Sequence, residues 1–291
     1  MHDNENVLVS FITVTFNSAE LIENCVNSVI GGFYKENNEI IIIDNNSSDN
    51  TCKILNGFGK KIHLIENKVN VGFSKACNQG FQASKGKFLF FLNPDTIYVN
   101  KTLDYLLDSL KSDSSTGIIA PRIKNFDGSF EQNVSYRYPG KKKYTHKLFA
   151  ELPGDICSVL GAAFLIKREI FIKLSGFDEN FFLYGEDQDI CLRVRKLGYK
   201  IKLCENSAVY HSGGNSEKNT TKTKLELKKL KAELIFQDKH YPRRITLKIR
   251  KWQIIYAIKN LIIGAFILNH VSLVSNFHKL KFLFSFRNLD L

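Results

Sequence analysis

A chain of 291 residues with 44% hydrophobic side chains suits one large domain, or one domain with an appendage, around a substantial core. Its formal charge of +12 is uneven: Met1 to Glu217 carries 25 Lys and Arg against 25 Asp and Glu, whereas Lys218 to Leu291 carries 16 against 4. The neutral part needs no polyanionic partner, while the last quarter implies one, a lipid surface or a nucleic acid. The six cysteines contain no CxxC pair and read as small buried residues of a reducing compartment. The opening "MHDNENVLVS" has no positive region leading into an apolar stretch, so no signal peptide is expected.

The elements then alternate. "VLVSFITVTF" (Val7–Phe16) is apolar and β-branched almost throughout, as in a parallel strand buried on both faces. "NSAELIENCVNSVI" follows with helical spacing and Ser18 as a possible cap. "EIIIIDNNSSDNT" gives a second buried strand ending at Asp44. "KIHLIEN" is a third strand, "GFSKACNQGFQAS" a helix and "KFLFFLNPD" a fourth strand. Such alternation predicts βαβ units and a parallel sheet, with ligands bound beyond the carboxyl ends of the strands. Phe16-Asn17, Asp44-Asn45, Asn67 and Asn93–Asp95 all lie at those ends, so Asp44 and Asp95 are expected to converge. Further on, "GAAFLIKREIFIKLSGFDENF" reads as strand, short helix and turn. "GEDQDICLRVRKLGYKI" reads as a packed helix with three acids at its start, and "KIKLCENSAVYHSGG" as strand, turn and strand. "YRYPGKKKYTHK" (Tyr136–Lys147) is expected to be a mobile loop. From Glu217 onward the pattern is helical, basic and aromatic.

No glycine stands in the first βα turn, "TFNSAEL", and no Walker A sequence is present. That argues against a classical dinucleotide site. A diphosphate bound here needs another counter-charge, and a divalent metal on a carboxylate is the usual one. Asp95 is either the turn residue after Pro94 or a metal ligand. Asp44 is either a cap or an acceptor for a base N–H. Glu186, Asp187 and Asp189 either favour a helix dipole or crowd together so that one becomes a general base. His211, before Gly213 and Gly214, is either structural or a ligand.

The ordered series "SFITVTFN", "IIIIDNNSSDNT", "NVGFSKACNQG", "FFLNPDT", "GAAFLIKREIF", "GFDENFFLYGEDQDICLRVRKLGY" and "VYHSGG" resembles the family 2 glycosyltransferases of the GT-A fold. It is most similar to the bacterial rhamnosyltransferase-like branch that builds surface polysaccharides. The resemblance covers Val7 to Gly214. It implies an α/β GT-A domain over residues 1–215, a mainly parallel sheet with flanking helices, and a basic helical extension over residues 216–291. Thr15, Phe16, Asn17 and Asp44 would hold the base and ribose, and Asn70, Gly72 and Asn78 would line the nucleotide pocket. "NPD" stands where the family has Asp-x-Asp, with Asn93 in place of the first acid and Asp95 in the place of the metal ligand. His211 resembles the additional ligand of some members. "GED" resembles the catalytic motif, with Asp187 as base beside Glu186. The Gln-x-x-Arg-Trp motif of processive synthases is absent, so a single transfer is expected.

The expected reaction is an inverting transfer, assisted by Mg²⁺ or Mn²⁺, from a dTDP- or UDP-sugar, dTDP-rhamnose being the first guess. The acceptor is a hydroxyl of a glycan or lipid-linked sugar. No apolar run in the basic extension approaches the ~20 residues that span a bilayer. The extension is therefore expected to lie on an anionic membrane surface at its cytoplasmic side or to form a homo-oligomer. Two rivals differ in class: a metal-dependent nucleotidyltransferase, and a non-enzymatic module whose tail binds nucleic acid.

Overall fold

The computed structural model describes residues 7–32, 37–145, 147–213, 220–266 and 270–286. The chain forms two compact units, Met1–Tyr136 with Leu152–Lys218, and Arg137–Glu151 with Asn219–Leu291.

In chain order the strands are β1 (Val9–Thr15), β2 (Asn38–Asp44), β3 (His63–Glu66), β4 (Phe88–Leu92), β5 (Thr96–Tyr98), β6 (Thr116–Lys124), β7 (Phe130–Glu131), β8 (Val134–Ser135), β9 (Ser158–Val159), β10 (Ala163–Lys167) and β11 (Lys200–His211). The helices are α1 (Ile22–Gly31), α2 (Thr51–Asn56), α3 (Phe73–Ala83), α4 (Thr102–Ser112), α5 (Lys142–Thr145), α6 (Arg168–Lys173), α7 (Glu186–Lys196), α8 (Lys222–His240), α9 (Arg243–Phe266) and α10 (His270–Ser285).

The first unit is built on a sheet of order β3-β2-β1-β4-β10-β6-β11-β5, with β7 beside β6, while β8 and β9 pair separately. Alternation along the strands fills two cores. Phe11, Ile40, Ile42 and Phe90 join the cluster that holds Ile22, Cys25 and Leu106. Ile12, Ile41, Ile43 and Phe91 join the cluster that holds Ala76, Phe171, Ile190 and Val194. Helices therefore cover both faces, which is why β1, β2 and β4 read as unbroken apolar runs. Gly80 lets α3 lie close on the sheet: a Cβ there would stand 2.6 Å from both Ile12 and Ile43.

The sheet is parallel in its first half, where Thr15 is level with Asp44 and Asp44 with Glu66. β10 then enters antiparallel between β4 and β6, with Ala163 opposite Leu92. β5 pairs antiparallel with the end of β11, His211 opposite Thr96. These reversals bring the start of β10 and the end of β11 to the edge where β1, β2 and β4 finish.

Three local expectations differ from the structure. Ser18 caps with its backbone: its carbonyl accepts from Leu21 N and Ile22 N, both at 3.0 Å, and α1 starts only at Ile22. The stretch read as strand, turn and strand is one strand, β11, with a register shift between Cys204 and Ala208. The polar Glu205–Ser207 is thus a bulge and not a turn. The basic stretch expected as a mobile loop contributes to the second unit. Tyr138 stacks on Phe236 at 5.9 Å and meets Phe149 edge-on at 5.2 Å, and Tyr241 donates from its hydroxyl to the Pro139 carbonyl at 2.5 Å.

The second unit is otherwise α8, α9 and α10. Its acids there face inward. Glu233 accepts from Gln237 at 2.7 Å and Gln253 at 3.1 Å, Asp238 pairs with Arg250, and Glu226 pairs with Lys279 at 3.0 Å and accepts from Ser275. Among the described residues no helix is long and apolar enough to cross a membrane.

Candidate active site

At the ends of β1 and β2 the backbone turns into a polar shelf. Asn17 adopts a left-handed conformation (φ 51°), which asparagine tolerates better than most residues. Its Oδ1 accepts from Ser48 N at 2.8 Å, and its own N–H donates to Ser47 Oγ at 2.8 Å. Phe16 beside it is exposed. Asp44 is 1% exposed; its Oδ2 accepts from Ser47 N at 2.8 Å, while its Oδ1 is buried with no hydrogen-bond partner. Thr15 Oγ1 is in the same condition. A buried polar atom without a partner is uncommon in a folded protein and suits a site completed by a ligand. Cys52 lies close by, its thiol pushed up to about 12 by burial, by hydrogen bonding to Asp44 and by the charges of Asp44 and Glu66.

Behind this shelf is Asn45, which the sequence places at a strand end without a role of its own. Asn45 donates from Nδ2 to Asn70 Oδ1 at 2.9 Å and accepts at Oδ1 from Val71 N at 3.0 Å and Asn67 Nδ2 at 3.2 Å. Asn70 in turn accepts from Gly72 N at 3.0 Å. The signal was present as a second polar residue directly after Asp44, followed by two asparagines around the next strand end. Gly72 has φ 89°, and a Cβ there would meet the Phe182 ring at 2.7 Å. Phe73 N donates to Phe182 O at 2.7 Å, so the loop ahead of α7 lies across the start of α3. Asn78 is bonded to that loop: Nδ2 donates to Phe177 O at 3.0 Å and to Glu179 Oε1 at 3.1 Å, and Oδ1 accepts from Phe177 N at 2.9 Å.

After β4, Asn93 N donates to Ala162 O at 2.8 Å, tying this turn to the approach of β10. Asp95 is buried, and its Oδ1 lies 3.3 Å from His211 Nε2. The contact is fixed from both sides, because β5 pairs with the end of β11 and Ser212 N donates to Asp95 O at 3.1 Å. Glu131 of β7 stands 3.8 Å from His211 Nδ1. Burial pulls the His211 pKa down, but the Asp95 hydrogen bond and charge, with Glu131, raise it overall. Among the described residues no group of three or more His, Cys, Asp or Glu is placed to hold a metal.

The third component is the start of α7. Tyr184 and Gly185 are both left-handed (φ 72° and 82°) and turn the chain sharply into the helix. Asp187 Oδ2 accepts from Gly161 N at 3.2 Å and Oδ1 from Gln188 N at 2.7 Å. Gly161 adjoins Ala162, whose carbonyl holds Asn93, so Asp187 and the Asn93–Asp95 turn meet across two residues of backbone. Burial raises the Asp187 carboxyl against the opposing pull of those backbone N–H groups. Glu186 is buried, its Oε2 has no hydrogen-bond partner, and burial followed by the Asp187 charge pushes it up to about 8. Asp189 is structural: it pairs with Arg193 at 2.7 Å, and Arg193 also donates to the carbonyls of Leu174 and Gly176, both at 2.9 Å.

A mixed α/β sheet with its polar strand ends on one edge, a buried strand-end acid and a second acid at a helix start define the GT-A fold, and solved structures share it. Two structures of S. aureus TarS superpose with a TM-score of 0.57: the 1–349 fragment at 14% identity over 94% of this chain and 90% of that one, and the same fragment in complex with UDP at 16% identity over 79% and 66%. Residues 10–175, more than half of the chain, match the model for glycosyl transferase family 2, and the chain belongs to that family. Residues 149–212 also match the model described as the N-terminal domain of galactosyltransferase. Among curated proteins the chain is 27% identical to the poly-beta-1,6-N-acetyl-D-glucosamine synthase of Staphylococcus epidermidis, over 67% of this chain and 47% of that protein. It is 26% identical to the probable glycosyltransferase YdaM of Bacillus subtilis, over 67% and 48%. The chain thus spans about half the length of the curated relatives it matches.

Proposed function

We propose that the first unit transfers a single sugar, with inversion, from a pyrimidine nucleoside diphosphate sugar to a hydroxyl of a glycan or lipid-linked acceptor in surface polysaccharide synthesis. The observation that carries this reading is the meeting of Asp187 with the Asn93–Asp95 turn across Gly161 and Ala162. That meeting supports a carboxylate base close to the turn at which the diphosphate would lie. The base and ribose occupy the shelf of Thr15, Phe16, Asn17 and Asp44, with the orphan Asp44 Oδ1 accepting a pyrimidine N3–H. Asn70, Gly72 and Asn93 line the path toward the phosphates, and Asn78 holds the loop that covers it. UDP in a TarS structure supports a uridine donor; dTDP-rhamnose remains the alternative sugar nucleotide to test.

In the transfer step the acceptor O–H gives its proton to the Asp187 carboxylate. The acceptor oxygen bonds to the anomeric carbon as the bond to the diphosphate breaks, its electron pair leaving with the phosphate oxygen. Glu186 keeps its proton at neutral pH, which leaves Asp187 and the Arg193-paired Asp189 as the charged carboxylates of the helix start. Asp95 and His211 would hold Mg²⁺ or Mn²⁺. Their donor atoms are buried and 3.3 Å apart, close to the spacing of neighbouring ligands around one cation. With only these two donors from the protein, a bound cation would need further ligands from outside the chain. When bound, the cation supplies charge that stabilises the leaving diphosphate. The second unit attaches the enzyme to an anionic membrane at its cytoplasmic face.

The test is a titration of UDP-, dTDP- and GDP-sugars with Mg²⁺ or Mn²⁺, read by thermal shift. Pyrimidine sugars are expected to raise the melting temperature, because a ligand of the native state stabilises it. EDTA and Asp95→Ala should each weaken that shift. Tighter binding of GDP-sugars, or normal binding and turnover in EDTA, contradicts the donor or the metal assignment respectively.

A further inference from the structure

Beyond the catalytic edge, the hairpin of β6 and β7 carries an exposed aromatic and cationic cluster. Phe126 is 65% exposed and stacks on Tyr210, with centroids 5.6 Å apart and planes 19° apart. Phe130 is 47% exposed, and the Arg122 guanidinium lies over it at 3.6 Å. Lys124 Nζ stands 5.9 Å from the Phe130 ring and 5.4 Å from the Tyr210 ring. The one ion pair in the group, Arg122 with Glu205 at 3.5 Å, is largely solvent-exposed and holds the guanidinium weakly. None of these side chains contributes to either core of the unit.

Strand alternation says which side of the sheet this cluster occupies. Ile118 and Ala120 of β6 pack in the same cluster as Ile190, Cys191 and Val194 of α7. Arg122 and Lys124 follow at two-residue steps and therefore lie on the α7 side. Tyr210 and Phe130 each pair with Lys124 and share that side. Glu131 and His211 have the other parity, which is why they meet each other. The cluster is also tied to Asp187 along the backbone. Asp187 accepts from Gly161; the adjacent Leu160 N donates to Asn133 O at 2.8 Å; and Asn133 Nδ2 donates to Pro121 O at 2.7 Å, one residue before Arg122.

We infer that Phe126, Phe130 and Tyr210, with Arg122 and Lys124, form the platform on which the acceptor glycan lies, and that this acceptor is anionic. The inference rests on the transferase reading above and names its acceptor class. Flat rings in solvent offer rigid area to the apolar face of a pyranose, as binding sites commonly combine aromatic walls with a few placed polar groups. A guanidinium beside them presents a fork matched to a carboxylate or phosphate. An exposed apolar patch rimmed by charge on the same side of the sheet as the base calls for a ligand. Sugar rings stack on Phe126 and Phe130 while their acidic substituents meet Arg122 and Lys124, which delivers a chain end to Asp187.

The test uses the full chain and two probes, trigalacturonate as an anionic glycan and chitotriose as a neutral one, read by saturation-transfer NMR and titration, with UDP binding measured in parallel. Wild type should bind trigalacturonate at least tenfold more tightly than chitotriose. Phe126→Ala/Phe130→Ala should lower trigalacturonate affinity about tenfold, and Arg122→Gln/Lys124→Gln should remove the preference for the anionic probe. UDP affinity should stay within twofold in both. Equal binding of the two probes, or affinity unchanged by removal of the rings, overturns the platform. So does a loss of self-association in Phe126→Ala/Phe130→Ala by ultracentrifugation with glycan binding intact, which would make the patch a subunit contact. Failure of wild type to bind UDP would strike the transferase reading instead, and is read separately.

Discussion

In the first unit most large side chains face inward: Phe11, Phe90, Phe91, Phe164, Phe171 and Phe181 are almost fully buried, while Phe16, Phe126, Phe130 and Phe182 are exposed exceptions. In α9 and α10 of the second unit, Leu247, Ile255, Ile258, Ile262, Phe277 and Phe284 face solvent. Charge is distributed in the opposite sense. The first unit presents acids at strand ends and at the start of α7, and some of them are raised by burial. In α8 to α10 the acids are engaged internally, while Arg244, Lys248, Lys251 and Lys259 lie on the exposed side of α9, which contains no acid. Burial of apolar groups accounts for the stability of the first unit. It does not account for the outward apolar stripes of the second, which suit contact with a partner surface.

The comparison is broken most sharply at Asp187. Asp187→Asn should cut turnover by roughly 10²–10⁴-fold while donor affinity stays within twofold, because a general base acts only in the transition state. Its pH profile should carry an acid limb above the ordinary aspartate value, since burial raises the group and activity requires it ionised. Activity within a few-fold of wild type removes Asp187 from that role.

Core substitutions sharpen the contrast between the units. Phe171 packs against Phe81, Phe91 and Phe177 with centroids 4.8, 5.3 and 5.4 Å away. Phe171→Ala should cost about 3–5 kcal/mol of stability in denaturant titration. Phe277→Ala and Phe284→Ala, on exposed rings, should change stability by less than about 0.5 kcal/mol. Equal costs would mean that the outward face is covered after all.

Glu186 gives a smaller, pH-dependent effect. Its folded pKa is raised from 4.5 to about 8, so its contribution to stability is full below 4.5 and is lost as pH rises through about 8. Glu186→Gln cannot ionise, so wild type should lose stability relative to the variant between pH 5 and 8, by at most about 1.4 kcal/mol per pH unit. A difference that stays constant across that range would show that Glu186 is not held neutral in the folded state.

Much of the first unit was legible because its strands are buried on both faces. Runs such as "IIIID" admit few other readings, and their polar ends mark the ligand edge. Asp44 and Asp95 could be singled out for that reason, and Asp187 from the three acids crowded at a helix start. The contact of His211 with Asp95 could not, since it forms only through the pairing of β5 with β11, partners more than a hundred residues apart. Tyr184 in a left-handed turn was hidden because nothing in a tyrosine announces a positive φ. Asn45 was hidden by Asp44, whose charge drew the functional reading to itself. The stretch around Tyr138 read as a loop because its tyrosines and lysines look solvated; its partners Phe236 and Tyr241 lie about a hundred residues further on. Arg122, Phe126 and Phe130 show no pattern in sequence, and only the hairpin and strand parity bring them together with Tyr210.

The effect with the least bearing on fold stability concerns the outward face of the second unit. Along α9, Arg244, Leu247, Lys248, Lys251, Ile255, Ile258, Lys259 and Ile262 recur at three- and four-residue steps and are all exposed. Along α10, Val274, Phe277, Lys281 and Phe284 do the same. Each stripe mixes aliphatic or aromatic side chains with cations. That arrangement suits a helix lying in a headgroup layer, apolar groups toward the acyl chains and ammonium groups at the phosphates. Each Lys or Arg at an anionic surface contributes about 1 kcal/mol and less at high salt, where screening shortens its reach. Wild type should therefore float with vesicles containing phosphatidylglycerol at moderate salt and release at several-fold higher salt. Lys248→Gln/Lys251→Gln/Lys259→Gln should weaken binding by about 3 kcal/mol, and Ile255→Ser/Ile262→Ser should weaken it without restoring salt resistance. Stability of the fold should be almost unchanged in both. If the chain ignores such vesicles and Ile255→Ser/Ile262→Ser instead converts a dimer to a monomer in ultracentrifugation, the partner is a second copy of the chain and the membrane reading is wrong.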